Sequence, residues 1–171
     1  MPVSMYSVSV PVFMQHLNGL SAVLDKAAAH AAARKIKEED LLGMRLAPDM
    51  FPLLRQVRAA TDHAINGAGR PAGKELPKFA NDETTITQLK DRIAKTIKFL
   101  KSVKPAELDG SEEKDIKITF PNGNVREFKG QGLLLGNSLP NFYFHTTTAY
   151  DILRTCGVEL GKRDFMGTPP G

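Results

Sequence analysis

The chain has 171 residues, 42% of them hydrophobic and 25% charged, which is ordinary globular composition, enough for one substantial core and too little to favour two; residues 1–171 are expected to form a single domain. No window approaches the roughly 20 apolar residues of a membrane span, the opening MPVSMYSVSVPVF lacks the basic start and compact apolar run of a secretory signal, and the lone Cys156 excludes an intramolecular disulfide and any cysteine-rich zinc module. The expectation is a cytoplasmic protein without a membrane partner. The formal charge of +4 raises nucleic acid as a partner, but Lys90, Arg92, Lys95, Lys98, Lys101 and Lys104 step around a helix largely in threes. They spread over its solvated surface instead of forming one stripe, so a nucleic-acid partner is not expected.

Ser9 is a candidate cap for a first helix with Pro11 in its opening turn. Phe13, Leu17, Leu20, Leu24, Ala27 and Ala31 then supply an apolar stripe at steps of four and three, narrowing to small residues that let a neighbouring helix approach closely. Lys35 to Asp40 reads as a solvated connection. Asp49 is the candidate cap of a second helix, with Pro52 in its first turn, Met50, Leu53, Val57, Ala60 and Ala64 on its inner face, and Gly67 and Gly69 closing it. The passage from Gly67 to Asn81 is polar and rich in proline and glycine. Its GAGRPAGKE only superficially resembles a phosphate-binding loop, because Ala68 replaces the first glycine, Glu75 the magnesium-binding hydroxyl, and no strand precedes it.

The third helix has Thr85 and Gln88 at capping-box spacing, an inner face of Ile86, Leu89, Ile93, Ile97 and Leu100, and Pro105 at its end. The period then changes to two. Ile116, Ile118 and Phe120 alternate with polar residues before PNGN and VREFK, a hairpin signal, and a loop of Asn122 to Asn124 would place Ile118 opposite Phe128. Such a hairpin is stable only with its apolar face against the helices. The last long helix begins near Ser138, with Pro140 in its first turn, and ends at Gly157. In it Phe142, His145, Ala149, Ile152 and Cys156 share one stripe, so an imidazole stands in the middle of a buried face. In the tail, Leu160 and Phe165 can dock on the bundle, while TPPG frays. The sum is an all-α bundle of four long helices with a small β-hairpin before the last.

The order of helices, the position of the hairpin and above all LPNFYFHTTTAYDILRTCGVELGKRDFMG resemble a branch of the DinB/YfiT-like superfamily without an assigned activity. The resemblance spans nearly the whole chain and is most specific from Leu139 to Gly167. It implies a DinB-like four-helix bundle with up-down-down-up topology, commonly a homodimer, for which the connection from Gly67 to Asn81 provides the crossover. Metal-binding members typically present one histidine from the second helix and a His-x-x-x-His pair from the last. Here His145 matches the first member of that pair, Ala149 stands in the second position, and Gln56 lies where the helix-two ligand is expected. The resemblance therefore implies a degenerate metal site, with a divalent ion such as zinc or nickel as the only cofactor it raises.

Under that topology His16, His63 and His145 fall at the same end of the bundle, each at a similar depth along its helix, and together form a candidate rebuilt metal set. The plainer expectation for His145 is a buried imidazole hydrogen-bonded to Tyr143, Asn141 or a residue of another helix, or lining a ligand pocket with Gln56, Ala149, His16 and Tyr143. Cys156 is expected to be core, and the threonines at 146 to 148 to bond their own backbone. Two functions stay open. One is a dimeric small-molecule-binding bundle with a degenerate metal site; the other is a divalent-metal-dependent enzyme, thiol transferase or isomerase-like, using His145 with His16 or His63.

Overall fold

The computed structural model describes residues 3–119 and 122–169. Seven helices and one hairpin follow in order: α1 Val10–Arg34, α2 Glu38–Gly43, α3 Leu53–Gly69, α4 Ile86–Ser102, α5 Pro105–Leu108, β1 Asp115–Thr119, β2 Val125–Lys129, a π-helical turn Gly132–Ser138, α6 Leu139–Thr155 and α7 Lys162–Met166. The long helices α1, α3, α4 and α6 are those the apolar stripes predict. Phe13, Leu17, Leu24, Val57, Leu89 and Phe142 are fully enclosed where their stripes meet. Each such side chain contributes about 1.5–3 kcal/mol relative to leaving it in water. Among the described residues no helix is long and apolar enough to cross a membrane.

Side-chain neighbours give the helix directions. Phe13 meets Phe142 edge to face at 4.9 Å near the starts of α1 and α6, and His30 lies beside Gly157 near their ends, so these two run parallel. Arg58 pairs with Glu83 just before α4, Thr61 with Arg92, and Gly69 lies beside Phe99, so α3 and α4 are parallel as well. Gly67 touches Ser138 while Gln56 meets His145, which makes α3 antiparallel to α6. The result is the up-down-down-up bundle, with residues 70–85 forming the crossover. At Gly67 a Cβ would stand 2.7 Å from that of Ser138, so this glycine is a packing requirement of the α3–α6 contact. Gly157 ends α6 with φ +84°, a backbone conformation only glycine adopts without strain.

Several local expectations are corrected. Ser9 does not cap α1, because its buried hydroxyl donates back to the Met5 carbonyl at 2.6 Å, inside the preceding turn. The solvated connection ends sooner than expected, since α2 starts at Glu38 and buries Leu41 and Leu42. Asp49 is not a cap and Met50 is not helical. The helix begins at Leu53 after Pro52, because a residue followed by proline is kept out of the helical region, and the Leu53 amide donates instead to the Met44 carbonyl at 2.8 Å.

Gly67 lies inside α3 and Gly69 is its last residue, so the helix passes through the first glycine before it closes. The Thr85–Gln88 capping box forms as predicted. Pro105 opens the short α5 rather than ending α4 directly. The hairpin register is Ile116 opposite Phe128 and Ile118 opposite Arg126, two residues away from the expected pairing. The described ladder runs from the Asp115–Lys129 pair to the Thr119–Val125 pair, and Phe120 lies outside the described residues. Ser138 is helical itself, since the π-helical turn runs into α6 and the Leu139 amide donates to the Leu134 carbonyl. Arg92 is the departure among the basic residues of α4, being buried while its neighbours are solvated.

Candidate functional site: two imidazoles in the α3–α6 seam

Gln56 and His63 lie two turns apart on the inner side of α3 and face His145 of antiparallel α6. The Gln56 amide is oriented by its Nε2, which donates to the Phe51 carbonyl at 3.0 Å. Its Oε1 is therefore turned to His145 Nδ1, 2.7 Å away. An amide oxygen only accepts, so His145 carries its proton on Nδ1. Burial holds the His145 pKa below the usual imidazole value, so at neutral pH the ring is uncharged. Its Nε2 is then an unprotonated acceptor.

Among the described residues that nitrogen has no hydrogen-bond partner. The sealed, unpartnered side-chain nitrogens and oxygens among the described residues are His16 Nδ1 and Ser138 Oγ, so His145 Nε2 remains accessible. His63 lies beside the ring, centroids 5.6 Å apart and planes within 15°. Burial first, and then the neighbouring His145, lower its pKa to about 4. Phe51 is also nearly parallel to His145, at 6.1 Å and 7°, whereas Phe144 meets it edge-on at 5.3 Å. The Arg55 guanidinium sits 3.7 Å from the centre of the Phe51 ring, a cation over an aromatic face.

A cleft of about 360 Å³ opens here, walled by Phe51, Arg55, Arg58, Asp62, His63 and Asn81. A buried ion network shapes its far side. Arg92 donates from Nε to Thr61 at 2.7 Å, from Nη1 to Asn81 at 2.7 Å and Glu83 at 2.9 Å, and from Nη2 to Asp62 at 2.6 Å. Arg58 closes on Glu83 through its side-chain and backbone oxygens. Burial alone would raise the Glu83 carboxyl, but the hydrogen bond and charge of Arg92, with Arg58 beside it, hold it below the ordinary value. Asp62 is shifted the other way, because burial outweighs Arg92. The network pins the crossover to α3 and α4 and thereby fixes one wall of the cleft. Its anchor, Arg92, is hidden in the basic run, where only its place between Leu89 and Ile93 hints at an inward direction.

The expected site residues separate into two groups. His63, His145 and Gln56 come together. His16 does not join them; it is buried between α1 and α6 against Phe142, Tyr143 and Phe165, with ring centroids at 6.3, 5.1 and 5.3 Å. Desolvation there lowers its pKa, opposed by the Phe165 carbonyl. Equal depth along parallel helices does not mean equal direction around them. Tyr143 belongs with His16 and not with His145, and Ala149 is fully enclosed in the core with no polar atom to offer.

The donor set does not fit a three-imidazole metal centre. Both amide atoms of Gln56 are already engaged, Ala149 supplies nothing, and among the described residues no group of three His, Cys, Asp or Glu side chains is placed to hold a metal ion. Cys156 is half-buried with its thiol pushed up by desolvation, and Thr146 and Thr148 bond the Phe142 and Phe144 carbonyls of their own helix. Phe51 and Arg55 are the site residues that no sequence pattern singles out. Their spacing of four is a signal for stacking only once the Phe-Pro step is recognised as turning the ring back over the helix start.

A family model described as a domain of unknown function, DUF1993, matches residues 5–166. The chain is 38% identical to a DinB family member protein from Shewanella denitrificans known from its crystal structure, over 97% of this chain and 93% of that one, with a TM-score of 0.87. No curated protein matches the chain.

Proposed function

The chain belongs to the DUF1993 family and has a DinB-like fold, and from that premise we propose that it is a small-molecule-binding protein whose ligand enters the cleft beside His63 and His145. The observation that carries this reading is the 2.7 Å contact between His145 Nδ1 and Gln56 Oε1. It fixes the imidazole with its accepting nitrogen free, and Gln56 is the residue that the resemblance puts in the helix-two ligand position. A buried group with an accessible, unfilled acceptor is poised for a ligand's donor. The metal pattern is replaced by a hydrogen-bonding pattern built on the same helix faces.

A fragment screen read by the ring signals of His63 and His145 tests this. Compounds that bind should shift both rings together and lose their effect in His145→Ala; hits that never touch the pair contradict the reading. The homodimer implied by the resemblance remains part of the proposal, and light scattering reads it directly, a single 18.7 kDa species being the contrary result.

The second reading, a divalent-metal-dependent thiol transferase or isomerase-like enzyme, is favoured only by the closeness of His63 and His145. Its version with His16 lacks the required convergence. Zinc and nickel titrations decide between the readings, because stoichiometric tight binding lost in His145→Ala would replace the small-molecule reading with this one.

A further inference from the structure

The lining of the cleft offers more hydrogen-bond donors than acceptors. Phe51, Arg55, Arg58, Asp62, His63 and Asn81 all line its volume of about 360 Å³, a size that suits a small guest. Arg55 makes no hydrogen bond or salt bridge among the described residues, and its guanidinium rests on the face of Phe51. Arg58 commits Nε and Nη2 to Glu83, which leaves its Nη1 without a partner among the described residues. The Asn81 amide is oriented by its Oδ1, which accepts from Arg92 Nη1. Its Nδ2 is therefore a donor with no partner among the described residues.

The oxygens of the lining are mostly taken from behind. Buried Arg92 holds both Asn81 Oδ1 and Asp62 Oδ1, so Asp62 turns one oxygen at most to a guest. His63 is uncharged at neutral pH, with a pKa of about 4. Arg55 and Arg58 against Asp62 leave the lining one positive charge in excess, and the Glu83 and Arg92 charges behind it offset each other. Arg55 and Arg58 stand three residues apart on α3, a spacing that puts both on one face of the helix. A guest in this cleft meets two guanidinium groups and an amide N–H together.

Resting on the small-molecule reading above, we propose that the cleft binds a phosphoryl group, free or carried by a small molecule, whose oxygens accept hydrogen bonds from Arg55, Arg58 Nη1 and Asn81 Nδ2. Three separate donors exceed the two oxygens of a carboxylate and match the three terminal oxygens of a phosphate monoester. The single excess positive charge suits the monoanion, whose remaining hydroxyl donates to the free Asp62 oxygen.

The test titrates the full chain with phenyl phosphate, inorganic phosphate and benzoate at fixed ionic strength and about pH 6, where the monoanion is well populated. Calorimetry and the ring signals of His63 follow the binding. The expected result is one phenyl phosphate per chain, shifting the His63 ring and binding at least about tenfold more tightly than benzoate. Inorganic phosphate that matches it assigns the site to the free ion, and weaker inorganic phosphate assigns it to an ester; both support the phosphoryl class. Arg55→Gln, an exposed change whose folding is checked by circular dichroism, should weaken phenyl phosphate at least about tenfold. Lys98→Gln, which removes the same charge from an exposed position on α4, should leave binding unchanged. Equal weakening by the two substitutions would reduce the effect to general positive charge and overturn the proposal, as would an Arg55→Gln protein that binds unchanged or benzoate of equal affinity. If neither phosphate binds while neutral fragments shift the His63 and His145 rings, the phosphoryl class falls and the small-molecule reading stands. If no compound of any kind binds, the small-molecule reading falls with it.

Discussion

Gln56 decides the chemistry of this site more than either histidine does. It acts as a clamp that ties the Phe51 backbone to the His145 ring. Gln56→Leu should leave a buried Nδ1–H unpaired at a cost of about 1–3 kcal/mol, and it should release the ring to exchange tautomers. Chemical denaturation and histidine NMR read the two effects, and a stable protein with an unchanged tautomer would show that another group holds the ring.

His63 makes a pH prediction with a definite sign. Its folded pKa of about 4 lies below the usual 6.5, so the unfolded chain binds the extra proton across that window. The stability contribution is complete above the unfolded value and is lost as pH falls toward the folded one. The denaturation midpoint should therefore drop from near pH 6.5 downward, less steeply in His63→Gln, whereas identical profiles would place His63 in solvent.

At the scale of an element, α4 holds two kinds of basic residue that look alike in the sequence. Lys98 is exposed and Arg92 is enclosed by four oxygen partners from α3 and the crossover. Lys98→Gln should change stability by no more than about 0.5 kcal/mol. Arg92→Met should cost on the order of 3 kcal/mol, because Thr61, Asn81 and Asp62 lose their donor and Glu83 keeps only Arg58. A mild Arg92→Met would mean that the crossover is held by other contacts. On α1, Leu17→Ala should cost about 2–5 kcal/mol through the cavity it leaves, and an unchanged midpoint would contradict the assigned helix face.

The capping box and apolar stripe of α4 are legible in the sequence because both are local patterns. The burial of Arg92 is not, since burial of a charge depends on partners distant in the chain. The start of α3 differs from expectation for a local reason: the restriction that Pro52 imposes on Phe51 outweighs the preference of Asp49 for a cap. The hairpin register depends on loop length, which PNGN alone does not fix, and the π-helical turn has no periodic signature in seven residues.

For the whole molecule, the up-down-down-up arrangement brings α3 and α6 together antiparallel and sets His63 beside His145. The family resemblance places both histidines at one end of the bundle, and Gln56 with them. It also places His16 there, because rise along an axis is readable from residue numbers while direction around it depends on packing against Phe142 and Phe165. The DinB-like architecture thus gathers Gln56, His63 and His145 in one seam.

The most direct measurement is a long-range proton–nitrogen correlation spectrum of the histidine rings near neutral pH. It should show His145 as a neutral ring protonated on Nδ1 with an unprotonated Nε2, and His63 neutral beside it. A His145 signal with its proton on Nε2, or a charged imidazolium, would contradict the proposed binding site, because it would then have no accepting nitrogen to offer.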